Sequence, residues 1–308
     1  MQIATSLFYD RAAASMSSLG AKTDQLQTQI STGIRLSAPS SDSAAYQRLA
    51  GLKRATIDDK AYVANLGTAE SILKQGDTSL SAITDQLQSA TELVTQAKTG
   101  TLNAANRKAI GEQIAGIVAT LTNLANAKDA RGQALFGGGD GAPAVAVAVD
   151  GTYALAAKPV SAIPIGDGQT VQANETAARI FTVGGTTKAD GSIEGGTNTL
   201  AMLSAIAAAL QSDDFSAGSL GTSLADIGAA SDQVSTVQAS LGARAVRVDL
   251  ETTRLTDVAA DREATRSGLE DTDLTTTVVE LQKTMTILSA TQASFSKLSA
   301  LSLFDYLR

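Results

Sequence analysis

The sequence predicts a mainly α protein of long antiparallel helices, with the terminal helices paired as a coiled coil and a small β-rich domain inserted between the long ones. Three observations carry this. Near the C-terminus, Leu274, Val278, Leu281, Met285, Leu288, Gln292 and Phe295 recur at alternating steps of four and three. That is the a/d seam of a helix lying along another helix. Near the N-terminus, Tyr9, Ala12, Met16, Leu19, Thr23, Leu26 and Ile30 carry a matching seam. Narrow seams at both ends of one chain imply that the ends pair, with room for the stripe to extend to other copies. Finally, hydrophobic residues make up 44 % of the 308 positions but aromatics only 4 %, with no Trp. Aliphatic mass without aromatic anchors favours helices packed along their length.

The first segment, residues 1–42, is one helix to about residue 36 and then a break. Its seam runs across Gly20, and Gly33 lies near its end. Pro39 forces the preceding residue out of the α region, and Ser41, Asp42 and Ser43 are candidate N-caps for the second helix. Residues 43–136 read as two long helices, about 44–98 and 106–131, parted by a turn at 100–103. Gly67 and Gly76 weaken the first by on the order of 1 kcal/mol each relative to Ala, so it survives only if packed. Residues 137–198 hold 12 of the 26 glycines and three of the four prolines, and Ala144–Val149 and Ile180–Val183 read as strand-like pieces. This insert is expected to be dispensable for the helical part. Residues 199–270 return as helices, with Arg247–Glu251 and Arg254–Asp257 as close opposite-charge pairs. Residues 271–308 form the last helix.

Composition narrows function. Cys and His are both absent, which removes thiol chemistry, the commonest general base and the commonest transition-metal ligand. The net charge is −7 with no run of Lys or Arg, so nucleic acid is not expected as a partner. No apolar run approaches the roughly 20 residues of a membrane helix, and residues 1–10 lack a secretory signal pattern. No catalytic residue, metal ligand or cofactor site is therefore assigned. Glu270, Asp271 and Asp273 form the densest carboxylate cluster, best read as N-capping and favourable charge at a helix start. The run Gly137-Gly138-Gly139-Asp140-Gly141 lacks the spacing of a phosphate loop and reads as a domain junction.

Three motifs carry a family resemblance. Gln25 to Leu36, followed by Pro39 and Asp42, resembles the start of bacterial flagellins and flagellin-like hook-associated proteins. Leu124-Ala125-Asn126 and Gly132 to Gly138 are similar to the family's exit from its helices into a variable insert. Gln292 to Leu298 and Leu301 to Leu307 resemble its C-terminal ending, in the form found in members that join the hook to the filament. The resemblance covers residues 1–139 and 222–308.

It implies a structural subunit of a tubular flagellar assembly. The terminal segments would form an inner coiled-coil tube, the long helices a wall, and the insert an outward face. The implied partners are the first hook-associated protein, flagellin, other copies of the chain, an export chaperone and the type III export apparatus, with export lacking a cleaved signal peptide. The implied assembly interface is Tyr9, Met16, Leu19, Leu26 and Ile30 on the first helix, and Leu274, Val278, Leu281, Met285, Leu288, Phe295, Leu298, Leu303, Phe304 and Tyr306 on the last. A filament subunit, or a flagellin-like cell-surface protein whose insert binds a glycan or a surface, stays open as an alternative.

Overall fold

In the computed structural model of the protein, residues 2–99, 102–129, 131–139, 141–188 and 193–306 are described, leaving aside the side chains of 2–6, 8, 217, 219 and 298–306. Seven α-helices occur in order among them: α1 (Gln2–Thr32), α2 (Ser43–Lys98), α3 (Ala104–Ala125), α4 (Ala177–Phe181), α5 (Thr199–Gln211), α6 (Ser223–Glu270) and α7 (Leu274–Tyr306). The chain divides into two units, Met1–Asp58 with Asp257–Arg308, and Asp59–Thr256, so α2 and α6 contribute to both.

In the first unit α1 packs along α7. The pair is antiparallel: Lys22 meets Glu280 at 3.3 Å, and Tyr9 meets Phe295. α1 ends because Gly33 takes φ +71°, a left-handed turn that only glycine adopts freely. The next residues are then captured by the α6–α7 junction. Arg35 N–H donates to the Glu270 carbonyl at 2.7 Å, Thr272 N–H donates to the Gly33 carbonyl at 2.9 Å, and Ile34 forms an antiparallel bridge with Asp271. The Arg35 guanidinium adds a bond to the Leu269 carbonyl at 2.9 Å. Side chains close the same clasp. Glu270, with its side chain 9 % exposed, accepts from Lys53 at 2.8 Å and from Arg266 at 2.7 Å. Of the candidate caps for α2, Asp42 supplies the bond, accepting from Ala45 N–H at 2.9 Å.

The second unit holds the main core. Leu73, Leu80, Ile83 and Leu87 of α2, Ile114 and Leu121 of α3, Leu203 and Leu210 of α5, and Val234 and Val237 of α6 are buried together. Gly76 sits in α2 because a Cβ there would lie 2.9 Å from Leu241 Cδ2 on α6. The propensity cost is offset by close packing.

Among the described residues the insert holds four two-stranded antiparallel sheets. They pair β1 (Val145–Val147) with β2 (Tyr153–Leu155), β3 (Ile163–Gly166) with β4 (Gln169–Val171), β5 (Thr182–Val183) with β8 (Thr197–Asn198), and β6 (Thr186–Thr187) with β7 (Ile193–Glu194). One expected strand piece differs. Ile180 falls in α4, where Thr176 caps the helix and Ile180 and Phe181 turn into the core; only Thr182 and Val183 are extended.

The insert also does not stand apart from the helices. Ala144, Val145, Ile165, Val171, Ile180 and Phe181 belong to the same buried cluster as α2, α3, α5 and α6. Polar bonds reinforce this. Arg244 of α6 donates to the Gln172 carbonyl at 2.9 Å and pairs with buried Glu175, while Gln233 donates to the Arg179 carbonyl at 2.7 Å. The sequence signals turns and glycines there but not that their few aliphatic residues complete a helical core.

One expected charge pairing also changes. Glu251 turns to Arg254, within a helical turn, at 2.9 and 2.5 Å, and Arg254 is therefore not left for Asp257.

Two measurements test this packing. Joining Gly139 to Gly196 removes core side chains, so circular-dichroism melting of the shortened chain should lose the sharp transition of the full chain. A transition as sharp and as hot would show that the insert stands apart after all. The second concerns pH. The Arg254 hydrogen bonds hold the Glu251 carboxyl below the ordinary value of 4.5, and Lys53, aided by Arg266, does the same for Glu270. Depressed carboxylates stabilise the fold only while ionised, so stability should be level above the ordinary value and fall as pH drops through the lowered ones. The urea midpoint should be lower at about pH 3 than at about pH 6, and Glu270→Gln should narrow that difference.

Candidate assembly interface

The terminal helix pair brings together most of the described residues singled out from the sequence. On α1, Leu26 is buried at 2 %, and Tyr9, Met16, Leu19 and Ile30 are half-buried. Tyr9 and Phe295 meet edge to face, with ring centroids 5.4 Å apart and planes at 89°, a favoured arrangement for aromatic quadrupoles.

On α7 the buried face is turned from the expected seam. Leu281, Leu288 and Phe295 are half-buried, but Leu274, Val278 and Met285 are 51, 38 and 47 % exposed, and Gln292 is exposed. Thr277 and Thr284 take the buried places, at 8 and 7 % exposure, with Thr291 half-buried beyond them. Their hydroxyls donate to the carbonyls four residues back, at 2.7 Å for Thr277 and 2.8 Å for Thr284 and Thr291. Thr23 on α1 does the same to the Leu19 carbonyl at 2.9 Å. A threonine satisfied within its own helix can pack through its methyl group. Reading only apolar side chains as seam therefore missed half of the contact; the periodic threonines were the available signal.

The consequence is a helix with two apolar edges. One, of Leu281, Leu288 and Phe295 with the threonines, is turned to α1. The other, of Leu274, Val278 and Met285, faces solvent. The side chains of Leu298, Leu303, Phe304 and Tyr306 lie outside the described residues.

The remaining candidates resolve as structure. Asp273 caps α7, accepting from the Thr276 hydroxyl at 2.7 Å, Thr276 N–H at 3.2 Å and Thr275 N–H at 3.0 Å, bonds that hold its carboxyl below the usual range. Glu270 is an ion-pair partner in the clasp. Gly137 is packed, since a Cβ there would lie 2.7 Å from Ala134 Cβ. Among the described residues no cluster of acidic side chains is arranged to hold a metal ion, and no helix is long and apolar enough to cross a membrane.

Comparison with known proteins fits this geometry. The chain is 25 % identical over 316 residues to flagellar hook-associated protein 3 of Salmonella typhimurium and 26 % identical to that of Escherichia coli, with 99 % of each chain covered in both cases. Among solved structures, hook-associated protein 3 from Legionella pneumophila superposes with a TM-score of 0.63 at 15 % identity, covering 71 % of this chain and 98 % of the other. FlgL of Xanthomonas campestris gives a TM-score of 0.61 at 17 % identity, covering 70 % and 99 %. The bacterial flagellin N-terminal helical region matches residues 3–140 and the bacterial flagellin C-terminal helical region matches residues 224–307, so the chain, with its paired terminal helices, belongs to the bacterial flagellin family.

Proposed function

We propose that this protein is a structural subunit of the bacterial flagellum that joins the hook to the filament. The observation that carries the reading is the second apolar edge of α7. A helix pair that buries threonines inward and leaves Leu274, Val278 and Met285 in water is built to be completed by other chains. The end-to-end likeness to proteins named hook-associated protein 3 supports the junction over the filament proper.

In this reading the terminal helices form an inner tube and the long helices a wall, with divisions near residues 42, 136, 198 and 270. The neighbours are the first hook-associated protein on one side, flagellin on the other, and further copies around the ring. An export chaperone and the type III export apparatus deliver the chain to the outside of the cell without a cleaved signal peptide. Its role is mechanical, with no catalytic group or cofactor.

The two edges of α7 make the test selective. Met285→Asp on the exposed edge should cost the free chain no more than about 0.5 kcal/mol, as surface changes do, yet abolish incorporation. Leu281→Asp on the inner edge should destabilise the α1–α7 pair itself, by roughly 2–4 kcal/mol. The readouts are thermal melting of the purified chain, and electron microscopy of cells. Loss of function should leave hooks intact and release filament protein into the medium. Normal filaments with Met285→Asp would overturn the role of the exposed edge. Recovery of the wild-type chain as the bulk component of sheared filaments would overturn the junction assignment.

A further inference from the structure

Two surfaces of the second unit go unused by its fold, and they match each other. The buried register of α6 includes Ile227, Ala230, Val234, Val237, Leu241 and Val248. The same helix carries a second register on its opposite side: Ala239, Ala243, Val246, Leu250 and Thr253, again at alternating steps of four and three. All five are exposed, Val246 and Leu250 at 70 and 69 %. A solvated helix face is ordinarily filled with charged and polar side chains, whereas two aliphatic knobs set in a row of Ala and Thr form a packing face.

The other surface is a groove along α2. Ala64, Gly67, Thr68, Ser71 and Gln75 line one bank, and the loop 127–135 supplies the other. Two adjoining hollows of about 340 and 430 Å³ share Ser71 and Gln75. Lys74 and Lys128 line the larger one, with no ion-pair partner among the described residues. From Ala64 to Ser79 the groove runs about 22 Å, and the α6 row from Ala239 to Thr253 runs about 21 Å, at about 1.5 Å per residue. Run antiparallel, the row sets its large knobs over small residues of the groove, Leu250 over Gly67 and Val246 over Ser71. Exposed Asp249 and Arg247 flank the row, and Lys74 and Lys128 line the groove.

We propose that the α6 row of one copy lies antiparallel in the α2 groove of a second copy, with Leu250 over Gly67. The two surfaces share no residue, so the contact is heterologous. Each copy gives one surface and receives the other, which builds a ring or helix of copies and not a closed dimer. This rests on the reading of the chain as a multi-copy subunit and adds the wall surfaces through which copies meet.

The protein has no cysteine, so a chain carrying both Gly67→Cys and Leu250→Cys has thiols only at the two proposed surfaces. Neither change strains the fold: a Cβ at Gly67 meets open space, and Leu250 is exposed. Oxidised hook structures isolated from cells making this variant should give dimers, trimers and higher species on a non-reducing gel. Each single variant should give none of these, and a mixture of the two should give only dimers. A double variant present in hooks but uncross-linked overturns the contact and leaves the junction reading standing. Dimers formed by Leu250→Cys alone mean symmetrical packing of α6 on α6 and overturn it too. The same variant concentrated in solution separates the remaining cases. Cross-linked multimers there, with the chain absent from hooks, keep the contact and overturn the junction reading; multimers in neither setting overturn the contact. Gly67→Gln, which fills the groove with a good helix former, should lower retention in hooks by about tenfold with melting unchanged or raised. Wild-type retention of Gly67→Gln would count against the groove.

Discussion

The pairing of backbone between residues 33–35 and 270–272 is the constraint on which the terminal helices depend. Long helices with narrow stripes slide easily, because one turn of a stripe resembles the next. The clasp removes that freedom. Two backbone hydrogen bonds fix where α1 ends relative to where α7 begins, and the register then holds up the pair through Lys22 with Glu280 to Tyr9 with Phe295. Gly33 makes this possible by turning the chain left-handed, and Glu270 secures it with two cations.

Once the register is fixed, the threonine seam acquires a meaning. A fully apolar seam would use both edges of α7 within one chain and leave nothing for a neighbour. Thr23, Thr277 and Thr284 fill the intramolecular contact with side chains that satisfy their own hydroxyls and contribute modest burial. Leu274, Val278 and Met285 are left facing out. α6 repeats the arrangement in the second unit, with one register in the core and another in solvent. A protein whose work is assembly divides its apolar residues between folding and association, and helices suit this because a single sequence can carry two stripes.

The second unit supplies the stability that the thin terminal pair lacks. Its core draws on four long or medium helices and on the insert, whose short hairpins would not be stable alone. Arg244 with Glu175 and Arg254 with Glu251 join polar groups that burial would otherwise penalise.

The sequence by itself determined the helical architecture. Spacing of aliphatic residues located every long helix, because a period of 3.6 is written directly into the chain, and the poverty of aromatics favoured helices packed along their length. It also contained the family motifs, and most of the residues at the terminal pair. Only the tertiary structure decided which edge of each stripe faces inward. Thr277 and Thr284 are buried while Val278 and Met285 are not, since rotation of a helix about its axis is set by its neighbour and not by its own pattern. The insert was legible as turns and glycines, but its membership in the core was not: Ile165, Val171 and Phe181 reach it through long-range contacts that no local period encodes. The partner of Glu251 was likewise a choice between two arginines at helical spacing. Side-chain geometry and burial made that choice, and spacing alone left it undetermined.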